Sequence, residues 1–416
     1  MGGGLRNGVK DIFYRPEKNN EVLDGVRAIA ILYVILFHSF FFSQYAFVEK
    51  TQFVEYIDSL PLMLTWVWHG DMGVDIFFVL SGFLIGQHLM AEYQRTAGVD
   101  LRRFYRKRIL RILPLYLFAI FLFAMANGPN RELFWANILL VNNFMTAEKI
   151  FIPWSWSLTI EGQFYILVPF LILLLTRFRI WMLSLVLLVF AATFYRYVSL
   201  AAEPVLYQQT LIDYFLSGDI TSAVLYLDTL YIGFFVRSGP LLLGLMAAYL
   251  DLNYRDKVIF VLGKYPMLYW LLILAAISAI FWVVSYHSYL PSTSTGFSEQ
   301  KRFWHAVLGR NIFALGFVVI MFSALYDVGI GRVFRKFFKL KVFVPVAQTS
   351  YSLYLFHPPF LFAAFFLVKG GDKITSLSLI ETLQVFSYGL AMVFIFSMLT
   401  FIFIERPFMQ LGKHKH

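Results

Sequence analysis

Long apolar runs, broken at intervals by short polar stretches rich in Lys and Arg, set the pattern of this chain. Runs long enough to cross a bilayer begin near residues 22, 72, 109, 157, 180, 229, 265, 304, 343 and 379. A helix needs about twenty mostly apolar residues to span the hydrocarbon core, so the pattern predicts an all-α, polytopic membrane protein with about ten transmembrane helices. An even number of spans puts both ends of the chain on one side. Segments 1–21, 92–108, 176–179, 251–264, 328–342 and 405–416 hold 23 Lys and Arg, whereas the alternate segments 46–71, 128–156, 201–228, 286–303 and 369–378 hold 7. Basic loops stay inside, so both termini are expected to be cytoplasmic.

The expected organisation is a cytoplasmic N-terminal segment 1–21, one transmembrane domain 22–404 and a cytoplasmic C-terminal tail 405–416. The first apolar run is longer than a signal-peptide core and has no small-residue cleavage site, so the first span should persist in the mature protein. The stretch WANILLVNNFMTAEKIFIPWSW and residues 201–228 are too apolar and aromatic for solvated linkers. They are expected to lie in the interface or fold back over an outward-facing cavity.

Composition narrows the class. Of 416 residues 59% are hydrophobic and 14% charged, with a mean hydropathy of +0.69, which excludes a soluble globular protein. The formal net charge of +10 belongs mostly to the inner face, where anionic membrane lipid accounts for it without a nucleic-acid partner. Absence of cysteine rules out disulfides, thiolate nucleophiles and Cys-ligated metal. The chain has no GxSxG elbow, P-loop, GxGxxG or HExxH motif, and no metal is expected.

Ionisable residues inside apolar spans are costly and usually functional. In EVLDGVRAIAILYVILFHSF, Arg27 and His38 stand eleven residues apart, about three helical turns, so they share one face roughly 16 Å apart. On the expected topology Asp75, Glu161, Arg237 and Arg310 fall in the outer half of their spans. His357 lies near mid-depth, just before Pro358 and Pro359, which are expected to interrupt the ninth span. LRRFYRKRILRILPLY gathers Arg106, Arg108 and Arg111 at the cytoplasmic start of span three. Guanidinium forks suit phosphate oxygens, although topogenic charge and lipid headgroups also account for such a cluster. Trp154 and Trp156 suit an interfacial aromatic belt, Gly82 and Gly86 form a GxxxG packing pair, and Ser81 beside them is given no nucleophilic role.

Several of these segments together resemble the membrane-bound acyltransferase 3 family, integral-membrane enzymes that modify carbohydrates and other exported molecules. LDGVRAIAILYVILFH is similar to its first-helix signature, GVDIFFVLSGFLI to its second-helix motif, and FYRKRILRILPLY to its basic third helix. WSWSLTIEGQFYILVP, SYSLYLFHPP and ERP resemble its later segments. The departure is Gly162, where the family often has a second glutamate; Glu161 stands alone.

The resemblance implies an O-acyltransferase in a bacterial inner membrane, moving an acyl group, commonly acetyl, from cytoplasmic acyl-CoA to a hydroxyl of an exported carbohydrate or lipid-linked saccharide. It makes Arg27 and His38 the essential pair. Arg27, Arg106, Arg108 and Arg111 are the candidate acetyl-CoA contacts. His38 is expected to act as general base or acyl relay, with Glu161 or Asp75 orienting its ring. Arg237, Arg310, His357 and Trp154 are the candidate acceptor contacts. Buried charges around a central histidine would also suit a proton-coupled transporter or flippase, a reading that thioester cleavage by the purified protein would sink.

Overall fold

Ten helices long and apolar enough to cross a membrane are present in the structure, a computed structural model that describes residues 2–15, 20–126, 128–178, 180–286 and 298–412. They are α1 (Glu21–Phe41), α2 (Met72–Thr96), α3 (Leu101–Met125), α4 (Trp156–Phe178), α5 (Trp181–Ala202), α6 (Phe234–Lys264), α7 (Pro266–Val284), α8 (Glu299–Tyr326), α9 (Ser350–Lys369) and α10 (Leu379–Thr400). Among the described residues there is no strand, only an isolated bridge between Phe47 and Ile374. The protein is an all-α, polytopic membrane protein. Residues 413–416 of the expected tail and 16–19 of the expected N-terminal segment lie outside the described residues.

Helix α1 starts where Asn20 accepts a hydrogen bond from the Val22 amide, and Glu21 and Asp24 occupy its first turn. Both features favour a helix N-terminus, because they satisfy a free amide and complement the helix dipole. Downstream, α1 is apolar enough to be buried on several sides, and it packs against α2, α9 and α10. Asp11, in the N-terminal helix Gly2–Phe13, accepts from Arg406 Nε at 2.6 Å, so both chain ends meet at one end of the bundle.

The tightest helix pair is α2 with α6. A Cβ on Gly82 would overlap the Leu241 carbonyl, and one on Gly244 would overlap that of Val79, so glycine is what lets the two backbones touch. In contrast, α3, α5 and α7 expose Phe121, Phe190, Phe194, Leu274 and Phe281. These form the apolar surface a bilayer would cover.

Two expectations, both of span nine, are corrected. Helix α6 continues through the basic segment 251–264 to Lys264, since DLNYRDKVIFVLGK has no helix breaker before Gly263 and Asp251 faces Arg255 four residues on. Its other end is preceded by the helix Ile220–Tyr226 and a π-helical turn, Leu227–Tyr231. Span nine begins at Ser350, after a separate short helix Phe343–Gln348. Nor do Pro358 and Pro359 interrupt it, because α9 runs through both to Lys369.

The reason lies in the carbonyls the prolines release. Without N–H groups, Pro358 and Pro359 cannot bond the carbonyls of Tyr354 and Leu355 four residues back. His357 Nδ1 lies 2.7 Å from the Tyr354 oxygen, and Trp154 Nε1 donates to that of Leu355 at 2.9 Å. Side chains thus replace the missing amides, which is how a membrane helix tolerates proline.

The far-side loops are ordered. Residues 131–155 form short helical turns around buried Asn137, Asn142 and Ser155, with both asparagines donating to Ser155 Oγ at 2.8 Å. Residues 205–226 form three short helices.

Candidate active site

Arg27 and His38 both project from α1, as their spacing requires. Arg27 donates to Asp24 at 3.2 Å and lines a cavity of about 140 Å³ between α1, α2, α3, α4 and α9. Arg108 and Arg111, one helical turn apart on α3, line the same cavity, together with Ser81, Glu161, Tyr165, Ser157 and Tyr354. Arg106 does not: its exposed guanidinium donates to the Leu411 carbonyl at 3.0 Å.

One carboxylate serves this cavity. Glu161 accepts from the Ser81 hydroxyl and from the Tyr165 hydroxyl, and the Arg108 guanidinium lies over the Tyr165 ring at 5.4 Å. Tyr165 is a missed residue whose signal was available, since it follows Glu161 by four and shares its helix face. Three guanidiniums and one carboxylate line the cavity, with Asp24 pairing Arg27 from outside the wall, so the lining is positive. That donor set fits the phosphates of a CoA ester.

His38 meets another histidine. Its Nδ1 lies 2.9 Å from the Val34 carbonyl and 3.3 Å from His357 Nε2. A carbonyl can only accept, so the hydrogen-bond network assigns a hydrogen to Nδ1 of each ring. His357 Nε2 is then the acceptor facing His38, and His38 Nε2 keeps a lone pair. Phe37 and Phe42 pack against the His38 ring, both with centroids at 4.8 Å. The cavity and the histidine pair meet at Tyr354, whose side chain lines the cavity while its carbonyl holds His357. The polar contacts to the His38 ring come from His357 and Val34. Glu161 bonds to Ser81 and Tyr165, and Asp75 is engaged elsewhere.

Asp75 belongs to a buried ion cluster. Arg310 donates to Asp75 at 2.6 Å and to Asp71 at 2.8 Å, and Arg237 stands 3.6 Å from the other Asp75 oxygen. Arg237 is fully buried, its guanidinium 4.7 Å from the centroid of Trp156 and 5.1 Å from that of Tyr231. Such a cluster persists in a membrane because each carboxylate that loses water gains a guanidinium. Asp71 was missed, although it precedes Asp75 by four residues. Trp154 closes the Leu355 carbonyl and packs edge-on against Phe123.

A family model described as an acyltransferase domain matches residues 20–402, which takes in all of α1 to α10. The chain belongs to the acyltransferase 3 family. Among curated relatives, it is similar to the O-acetyltransferase OatA of Staphylococcus aureus strain NCTC 8325 / PS 47, 27% identical over 378 residues, covering 84% of this chain and 52% of the relative. The protein of the same name from strain COL matches with the same identity and coverage. The chain therefore spans about half the length of the curated relatives it matches. No solved structure matches it.

Within this acyltransferase 3 chain, the lone Glu161 has a packing explanation. A Cβ on Gly162 would meet Leu140 Cδ1 at 2.5 Å, so a side chain there would require the Leu140 side chain to turn away.

Proposed function

We propose that this chain is a membrane-bound O-acyltransferase that takes an acetyl group from acetyl-CoA at the end where the termini meet and passes it to a carbohydrate hydroxyl at the opposite end. The observation that carries the reading is the α1 helix itself, with Arg27 in a three-arginine cavity and His38 three turns further on. The strong Lys and Arg bias of the segments at the termini end supports a cytoplasmic assignment for that end, and the relatives support a bacterial membrane. Family membership also favours an enzyme over a transporter.

In the proposed step, His38 Nε2 removes the proton from the attacking hydroxyl as its oxygen bonds to the thioester carbonyl carbon. The tetrahedral adduct then collapses, the carbon–sulfur bond breaks, and the imidazolium returns the proton to the leaving thiolate as CoA. His357 holds the His38 ring in the tautomer this requires. Arg27, Arg108 and Arg111 bind the donor phosphates, and Glu161 fixes Ser81 and Tyr165 in the cavity wall.

The test is single-turnover release of CoA from acetyl-CoA by the protein in nanodiscs with an acceptor sugar present. Positioned general bases contribute about 10²–10⁴-fold, so His38→Ala should slow release by at least that lower bound. Release that His38→Ala leaves unchanged would remove His38 from the chemistry.

A further inference from the structure

A second, smaller cavity of about 40 Å³ lies at the far end of the bundle, under residues 206–211. Arg196 of α5 and Arg302 and Arg310 of α8 are in its wall, with Asp71 and His305. Arg196 is buried and donates to the carbonyls of Ala306, Leu230 and Val236. Arg302 donates to those of Tyr207 and Gln208. These carbonyls satisfy hydrogen-bonding geometry but carry no net charge.

Behind this wall stands Arg237. None of its three guanidinium nitrogens has a hydrogen-bond partner among the described residues, and its one ion pair is the 3.6 Å approach to Asp75. Tyr231 joins it to the cavity, with its ring 5.1 Å from Arg237 and 5.2 Å from Arg310. The cavity wall therefore holds the guanidiniums of Arg196, Arg302 and Arg310 with one carboxylate, Asp71, while Asp75 behind it is shared between Arg310 and Arg237. Cations remain in excess at a depth where a charge without a counter-ion is costly.

We infer that this outer cavity is an anion subsite that recognises a carboxylate or phosphate group on the acceptor. Its size supports the assignment, since about 40 Å³ accommodates a charged substituent while the sugar ring stays outside. The excess positive charge supplies the selection: an acidic or phosphorylated saccharide completes the cluster, and a neutral sugar does not. The inference rests on the acyltransferase reading for the identity of the ligand as acceptor, but the preference for anions rests on the cavity alone.

The test uses the full chain in nanodiscs of phosphatidylcholine, which presents no net anionic headgroup, titrated with glucose, glucuronate, glucose 6-phosphate and inorganic phosphate. Glucuronate or glucose 6-phosphate should bind at least tenfold more tightly than glucose, with the preference shrinking as salt is raised. Whichever of the two binds better names the charged group. Competition by inorganic phosphate at a similar concentration would mean that the anion alone is recognised.

Arg302→Gln, which keeps amide donors for the Tyr207 and Gln208 carbonyls, should abolish the preference, and Arg302→Lys should retain it. Equal binding of neutral and anionic sugars by the unmodified protein, or no binding of either, overturns the inference. So does a preference that survives Arg302→Gln. CoA release measured on the same preparation separates the two ideas: anion preference without His38-dependent release would retire only the transferase reading, and release without anion preference would retire only the subsite.

Discussion

His357 Nε2 stands 3.3 Å from His38 Nδ1, joining two residues 319 positions apart in the chain. The Tyr354 carbonyl fixes the hydrogen on the far side of the His357 ring, and that in turn fixes which nitrogen of His38 is left bare. Removing His357 should therefore loosen the His38 ring while the Val34 carbonyl still holds its Nδ1 hydrogen. His357→Ala should lower the single-turnover rate about fivefold to thirtyfold, from the loss of an orienting hydrogen bond worth ~1–2 kcal/mol. His357→Gln, which can accept from His38, should recover part of it. A rate unchanged by His357→Ala would show that the pair has no bearing on the reaction.

Pro358 keeps the Tyr354 carbonyl open to His357. Pro358→Ala restores an amide that competes for the same oxygen, so stability and turnover should move in opposite directions. The melting temperature should rise, because an interior proline weakens a helix. Turnover should fall about fivefold, corresponding to ~1 kcal/mol of lost orientation. Parallel thermal melts and turnover assays read both effects, and a variant that gains on both counts contradicts the account.

Charge in the larger cavity should appear in donor affinity. Arg108→Gln and Arg111→Gln should each raise the KM for acetyl-CoA by about tenfold or more, since a charge-assisted hydrogen bond contributes ~1.5–3 kcal/mol. Arg106→Gln should change it by less than about twofold, because that guanidinium is exposed at the chain end and a surface charge contributes little. Equal responses from Arg106 and Arg108 would mean that donor phosphates bind at the surface cluster.

Asp75→Asn tests the ion cluster. The substitution leaves Arg237 and Arg310 buried together with one carboxylate fewer between them. Breaking a buried pair from one side costs about 3–5 kcal/mol, so the variant should unfold at a markedly lower temperature in detergent or fail to accumulate. An unchanged melting temperature would mean that the cluster is held together by its aromatic neighbours alone.

Much of this was legible in the sequence where it depends on local periodicity. Hydropathy predicted ten spans, and the eleven-residue spacing put Arg27 and His38 on one helix because both requirements are local. Helical phase could also have separated Arg106 from Arg108, since two positions turn a helix by about 200°. The contacts that build the site join distant parts of the chain: His38 to His357, Arg310 to Asp71 and Asp75, and Glu161 to Ser81. No periodicity encodes those pairings. The prolines of α9 misled for a physical reason, because the local rule counts the lost amide bonds but not the His357 and Trp154 side chains that replace them.

The glycine contact between α2 and α6 turns that pair into a ruler. Where two backbones touch, as at Gly82 with Leu241 and Gly244 with Val79, neither helix can slide without collision, so distances along α2 are set by covalent rise rather than by rotamers. Asp71 at the outer cavity and Ser81 at the larger one are ten residues apart, about 15 Å along the helix axis. On the proposed function, a donor arm anchored near Ser81 would have to bridge most of that fixed length to meet an acceptor whose charged group sits in the outer cavity, so the reach of the arm would become a selection rule written into the scaffold.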